Sequence, residues 1–71
     1  MRKKLNRRLL KDLRAARGWS CDEAARRIGI TRQALNYIER GMVQPRTTTL
    51  LAIARVYEVG MADFYQEPIA S

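Results

Sequence analysis

Arg32, Gln33, Asn36 and Tyr37 stand within one short stretch, residues 28–41, which reads IGITRQALNYIERG. Together they carry a guanidinium, two carboxamides and a phenol, groups that give and take hydrogen bonds at neutral pH without forming a nucleophile and its base. At about 100° per residue, Leu35, Ile38, Thr31 and Ala34 fall on one side of a helix and define its predicted buried face. Asn36, Arg40, Gln33 and Tyr37 fall opposite, and Arg32 lies on the flank. The polar set therefore faces outward as a group. Glu39 falls at the border of the apolar stripe, where an unpaired carboxylate is costly to desolvate, so a cationic partner is expected.

The rest of the composition narrows what that surface meets. The chain has 71 residues, no histidine and one cysteine, so neither an internal disulfide, a zinc-ligand set nor a His-based catalytic dyad can be assembled. Adjacent Asp22 and Glu23 point about 100° apart on a helix and do not form a paired acid and base. An enzyme is the weakest reading, and no metal or cofactor is called for. Fourteen Lys+Arg against seven Asp+Glu give a net charge of +7, which points to an anionic partner, above all nucleic acid. The charge is uneven. Arg2, Lys3, Lys4, Arg7, Arg8, Lys11, Arg14 and Arg17 crowd the start of the chain around a single acid, Asp12, whereas no base follows Arg55. Lys11 and Asp12 directly after Leu9-Leu10 leave no apolar signal-peptide region, and Arg55 and Glu58 break the longest apolar stretch. The expectation is a cytoplasmic protein, nucleoid-associated when bound to DNA, with no membrane partner.

Positioning such a surface requires short helices, and the spacing predicts them. Leu5, Leu9, Leu10, Leu13 and Ala16 give an amphipathic helix over about residues 5–17, ended by Gly18 with Trp19 folding back as the apolar partner of the cap. Ser20-Cys21-Asp22-Glu23 has the form of a reciprocal capping box, so a second helix starts near Cys21, with Ala24, Ala25 and Ile28 as a narrow apolar face and Gly29 as its end. Thr31 caps the third helix. Pro45 forces a loop after Gly41. A fourth helix from Thr47 or Thr48 presents Leu50, Leu51, Ile53, Ala54 and Tyr57, and Met61 to Tyr65 can form a last turn. A chain this short buries only about 60% of its unfolded surface, so one domain with one small core is expected, with residues 66–71 giving no firm signal.

The run Leu13-Arg14, Arg17-Gly18, Ser20, Glu23, Ala25, Ile28-Gly29-Ile30-Thr31, Leu35, Ile38-Glu39 and Gly41, followed by Pro45, Leu50-Leu51, Ile53-Ala54 and Val59, resembles the Cro/CI-type (XRE) helix-turn-helix regulators. The resemblance covers about residues 9–65. It implies an all-α, compact, five-helix, lambda-repressor-like fold in which the third helix is the recognition helix, and it pairs Glu39 with Arg14. In this docking mode Arg32, Gln33, Asn36 and Tyr37 contact base edges in the major groove, where Arg matches guanine, Gln or Asn matches adenine, and an aromatic face covers a thymine methyl. Helix N-termini place Cys21 and Thr31 near phosphates, and Arg40, Gln44 and Arg46 in and around the loop hold the backbone, with the basic first helix adding steering.

Some positions depart from the family pattern. Cys21 stands where Gln is common, which raises redox sensing at the DNA interface as an alternative role for a thiol at a helix N-terminus. Trp19 and Ala24 stand where Leu is usual and suggest an exchange of volume within one core. Glu58 replaces a frequent Gly after the fourth helix, and Arg46 replaces a Ser cap. The resemblance and the small size imply a repressor binding an inverted repeat as a homodimer, with Met61, Phe64, Tyr65 and Ile69 as a candidate dimer surface or, alternatively, as residues that close the monomer core. The competing readings are an antitoxin that also binds a toxin, and a protein-interaction module that keeps the fold without specific DNA recognition.

Overall fold

Side-chain caps fix where the first three helices begin. In the computed structural model, which describes residues 5–65, Asn6 Oδ1 accepts the Leu9 N–H (3.1 Å), Ser20 Oγ the Glu23 N–H (3.1 Å) and Thr31 Oγ1 the Ala34 N–H (3.0 Å). Each bond satisfies one of the donors that a helix start leaves free. The helices that follow are α1 (Arg7–Ala16), α2 (Cys21–Ile28) and α3 (Arg32–Glu39). The fourth, α4 (Thr47–Tyr57), starts after Arg46 without a side-chain cap. A 3-10 helix, Met61–Tyr65, closes the described chain, and no strand occurs among the described residues.

The expected fifth helix is therefore corrected to a 3-10 turn. Five residues are too few to repay the nucleation of an α-helix, and the segment is instead tightened by the Asp63 N–H on the Gly60 carbonyl (3.0 Å) and the Gly60 N–H on Asp63 Oδ2 (3.1 Å). Its Phe64 carbonyl accepts the Asn6 N–H, which ties the end of the described chain to the start of α1.

Helices α1, α3 and α4 end in the same motif, whereas at α2 the Gly29 and Ile30 N–H groups both reach the Ala25 carbonyl (2.9 and 3.0 Å). At α3, the Gly41 N–H reaches the Ile38 carbonyl (3.1 Å) and the Met42 N–H reaches that of Tyr37 (2.9 Å). At α4, the Glu58 N–H reaches Arg55 (3.2 Å) and the Val59 N–H reaches Ala54 (3.0 Å). The motif needs a left-handed residue, which glycine supplies without cost. Gly41 supplies it at φ +78°, but at α4 the same role falls to Glu58 at φ 58°, ψ 45°. The departure noted in the sequence thus leaves the turn's geometry unchanged and makes a glutamate adopt it.

The core gathers Leu10 from α1, Ala24 and Ala25 from α2, Leu35 and Ile38 from α3, Leu50, Ile53 and Tyr57 from α4, and Phe64. The two alanines are almost fully covered, so α2 approaches its neighbours closely. Three expected core residues lie elsewhere. Thr31 is exposed because its hydroxyl is spent on the cap, Ala16 is exposed at the end of α1, and Leu51 is 40% exposed because it sits one residue, about 100°, off the Leu50–Ile53–Ala54–Tyr57 stripe. Ala34 is half-buried. Trp19 closes the α1 cap through its backbone, N–H to the Arg14 carbonyl (3.2 Å), and stacks its ring on Tyr57 at 5.8 Å. Arg27 lies over the Trp19 ring at 4.5 Å from its centroid, so a cation from α2 packs on the indole.

Candidate nucleic-acid interface

The direction in which α3 points its polar side chains is set from inside. Leu35 and Ile38 enter the core, and Glu39 is itself buried, at 4% exposure. Its charge is met by Arg14, whose Nε donates to Oε2 (2.9 Å) and Nη2 to Oε1 (3.0 Å) in a bidentate pair. Arg14 Nη1 also donates to the Trp19 carbonyl (3.2 Å). The hydrogen bond to Glu39 raises the pKa of the Arg14 guanidinium, against the opposing effect of burial. One arginine thus joins α1, the α1–α2 turn and the end of α3, as the register and the resemblance together anticipated.

A second brace was not legible in the sequence. Arg7 Nη1 donates to the Arg40 carbonyl (2.8 Å), linking the first turn of α1 to the last of α3 across 33 residues. Its side chain crosses Gly41 so closely that a Cβ there would lie 2.7 Å from the guanidinium carbon. Arg17 Nη2 likewise donates to the Tyr57 carbonyl (2.9 Å) at the end of α4. Three members of the basic N-terminal cluster therefore brace the fold. Only contacts distant in sequence reveal this, so no local pattern marks it.

With the inner side fixed, Arg32, Gln33, Asn36 and Arg40 are all exposed, and Tyr37 is half-buried. Arg32, Asn36 and Arg40 form one stripe at i, i+4, i+8, with Gln33 and Tyr37 beside it. No described acid lies within salt-bridge distance of Arg32 or Arg40. Gln44 and Arg46 are exposed on the loop after α3, where they line the same cavity of about 330 Å³ as Tyr37, Ala34 and Thr49. Thr31 is exposed at the α3 N-terminus, and Cys21 is half-buried at the start of α2, its thiol 3.8 Å from the Arg32 carbonyl. The structure therefore brings the expected base-facing and phosphate-facing residues to α3, its N-terminal junction with α2, and the loop that follows.

Two local expectations are corrected here. The capping box at Ser20 is half formed, because the Glu23 carboxylate turns to Arg27 Nε (2.8 Å) and Arg26 Nη2 (3.7 Å). Cys21 is the reverse of an activated thiol, since burial first and Glu39 second raise its pKa despite the nearby arginines. Thiolate is the oxidisable form, so a raised pKa works against redox sensing at this position.

A family model for HTH_3, helix-turn-helix, matches residues 10–64. The chain belongs to this helix-turn-helix family, of the XRE type. HTH-type transcriptional regulator PuuR of Escherichia coli is 34% identical over 59 residues, which is 83% of this chain and 32% of that protein, and PuuR of Shigella flexneri matches equally. The crystal structure of an HTH_3 family transcriptional regulator from Vibrio cholerae superposes with a TM-score of 0.74 at 37% identity, covering 84% of this chain and 34% of that one. The chain spans about a third of the length of the curated relatives it matches. The HTH_3 chain is thus all-helical over its described residues and of a DNA-binding regulator family, with four α-helices and a 3-10 turn.

Proposed function

We infer that this HTH_3 chain is a single helix-turn-helix unit that binds double-stranded DNA sequence-specifically and acts as a transcriptional repressor, two copies meeting the two halves of an inverted-repeat operator. The observation that carries this reading is the outer face of α3, where Arg32, Gln33, Asn36 and Arg40 are exposed and the two arginines have no acidic partner among the described residues. Arg32 matches the paired acceptors of guanine, Gln33 and Asn36 match adenine, and Tyr37 brings an aromatic face for a thymine methyl. Cys21, Thr31, Arg40, Gln44 and Arg46 surround them in the places where phosphates flank a groove-bound helix. Two copies are required because one eight-residue helix reads few base pairs, and half-sites about 34 Å apart multiply its discrimination. Of the candidate dimer residues Phe64 is fully buried and closes the monomer core, Met61 and Tyr65 are half-buried, and Ile69 lies outside the described residues. The names of the relatives, transcriptional regulators all, support the regulatory role.

Selection from a randomised duplex library at about 0.15 M salt, where non-specific electrostatic binding is weakened, tests the reading. The expected result is an enriched inverted repeat. Binding that appears only at low salt, with no enriched sequence, would contradict it.

A further inference from the structure

Two of the outward side chains of α3 are joined to each other. Gln33 Nε2 donates to the Tyr37 hydroxyl at 2.7 Å. Tyr37 is the anchored end of this bond, because it is half-buried and shares the wall of the cavity between α3 and the following loop with Ile30, Ile38, Val43 and Pro45. Gln33 is exposed and has no other hydrogen bond from its side chain among the described residues.

The chemistry of a carboxamide gives this bond a consequence. Gln33 has two N–H donors and one acceptor oxygen. With one N–H committed to Tyr37, the amide presents one N–H and Oε1, which complement N7 and the N6 amino group of adenine. Turned over, with Oε1 taking the Tyr37 O–H, the same amide would present two N–H donors, which guanine N7 and O6 accept. The direction of a single hydrogen bond on the protein thus separates adenine from guanine. Fastening a long side chain before binding also lowers the ordering cost of the complex.

We propose that Tyr37 is a positioning residue that holds the Gln33 carboxamide in its adenine-reading orientation, so that this pair, rather than either residue alone, sets one base of the operator. The proposal rests on α3 being the recognition helix. Tyr37→Phe is the informative variant, because it keeps the ring beside the cavity and removes only the hydroxyl. In the DNA-free protein, the side-chain amide NMR resonances of Gln33 shift in Tyr37→Phe, and unshifted resonances would show that the bond is not there to act. In selections from randomised duplexes, wild type takes adenine at one position and Gln33→Ala loses that preference. Tyr37→Phe lowers the adenine-over-guanine ratio at that position by roughly fivefold to tenfold, at the low end of the range a bidentate contact supports, and leaves the other positions as they were. An unchanged profile, a loss at a different base pair, a uniform loss on every duplex, or guanine chosen there by wild type would each overturn the proposal. Absence of any enriched sequence with wild type would overturn the reading of α3 itself and this proposal with it.

Discussion

Helices α2 and α3 are the same length, eight residues, and both start on a hydroxyl that accepts an N–H three residues on, yet their outer surfaces are opposite in kind. On α2, Asp22 pairs with Arg26 (3.3 Å), and Glu23 pairs with both Arg26 and Arg27. Every exposed charge of that helix has a counterion on the next turn. On α3 the only acid, Glu39, turns inward to Arg14 and leaves Arg32 and Arg40 outside without one. An anion approaching α2 must compete with carboxylates already in place, whereas on the outer face of α3 it meets no carboxylate. The basic character of the chain is therefore spread well beyond the surface proposed for recognition. Several arginines are neutralised in place or brace the fold, and what distinguishes α3 from α2 is that its cations are left open.

The largest loss is expected when the inner support of α3 is removed. Arg14→Met should destabilise the fold by about 3 kcal/mol in chemical denaturation, since it leaves Glu39 buried and uncompensated. Glu39→Gln should cost less, because the Arg14 side chain retains 25% exposure and can turn to water. Equal costs would show that burial is not what sets the strength of this pair. Gly41→Ala attacks the other end of the helix, forcing a Cβ into a left-handed residue and against Arg7, and should lower stability by about 1–2 kcal/mol. A melting temperature equal to wild type would mean that the Arg7 brace is dispensable. In the opposite direction, Glu58→Gly should stabilise by about 1 kcal/mol by removing the left-handed strain from the α4 cap. A loss of stability would assign Glu58 a contact that outweighs its backbone cost. The smallest effect belongs to α2, where Arg26→Ala should change stability by less than about 0.5 kcal/mol, as exposed i, i+4 pairs do. A larger change would make the α2 ladder structural.

What was legible in the sequence was mostly local. Ser20 and Thr31 mark helix starts because a cap acts over three residues, and Gly41 marks an end because few other residues take its backbone angles. The inward turn of Glu39 was legible from register alone, and its partner followed from the resemblance. Less legible were features decided by competition or by distance. Glu23 was expected to complete a capping box, but Arg26 and Arg27 one turn on offer it full charges where the Ser20 backbone offers a neutral N–H. Leu51 reads as core by composition and is exposed by phase. The Arg7–Arg40 and Arg17–Tyr57 bonds join residues 33 and 40 positions apart, and nothing in either neighbourhood announces the other. The outward set on α3 was legible as a surface, and the Gln33–Tyr37 bond within it was not, because two polar residues one turn apart usually serve water equally well.

Under the proposed function, the open cations and amides of α3, and not the paired charges of α2, carry sequence recognition. The direct test is the affinity of wild type, Arg32→Ala and Arg26→Ala for the selected duplex and for a scrambled duplex of equal length, at about 0.15 M salt. Arg32→Ala is expected to lose about 1–3 kcal/mol on the selected duplex, much less on the scrambled one, and to relax preference at one base position, while Arg26→Ala leaves the ratio of the two affinities unchanged. An equal loss on both duplexes for Arg32→Ala would recast it as a phosphate contact, and a collapse of the ratio in Arg26→Ala would move recognition to α2.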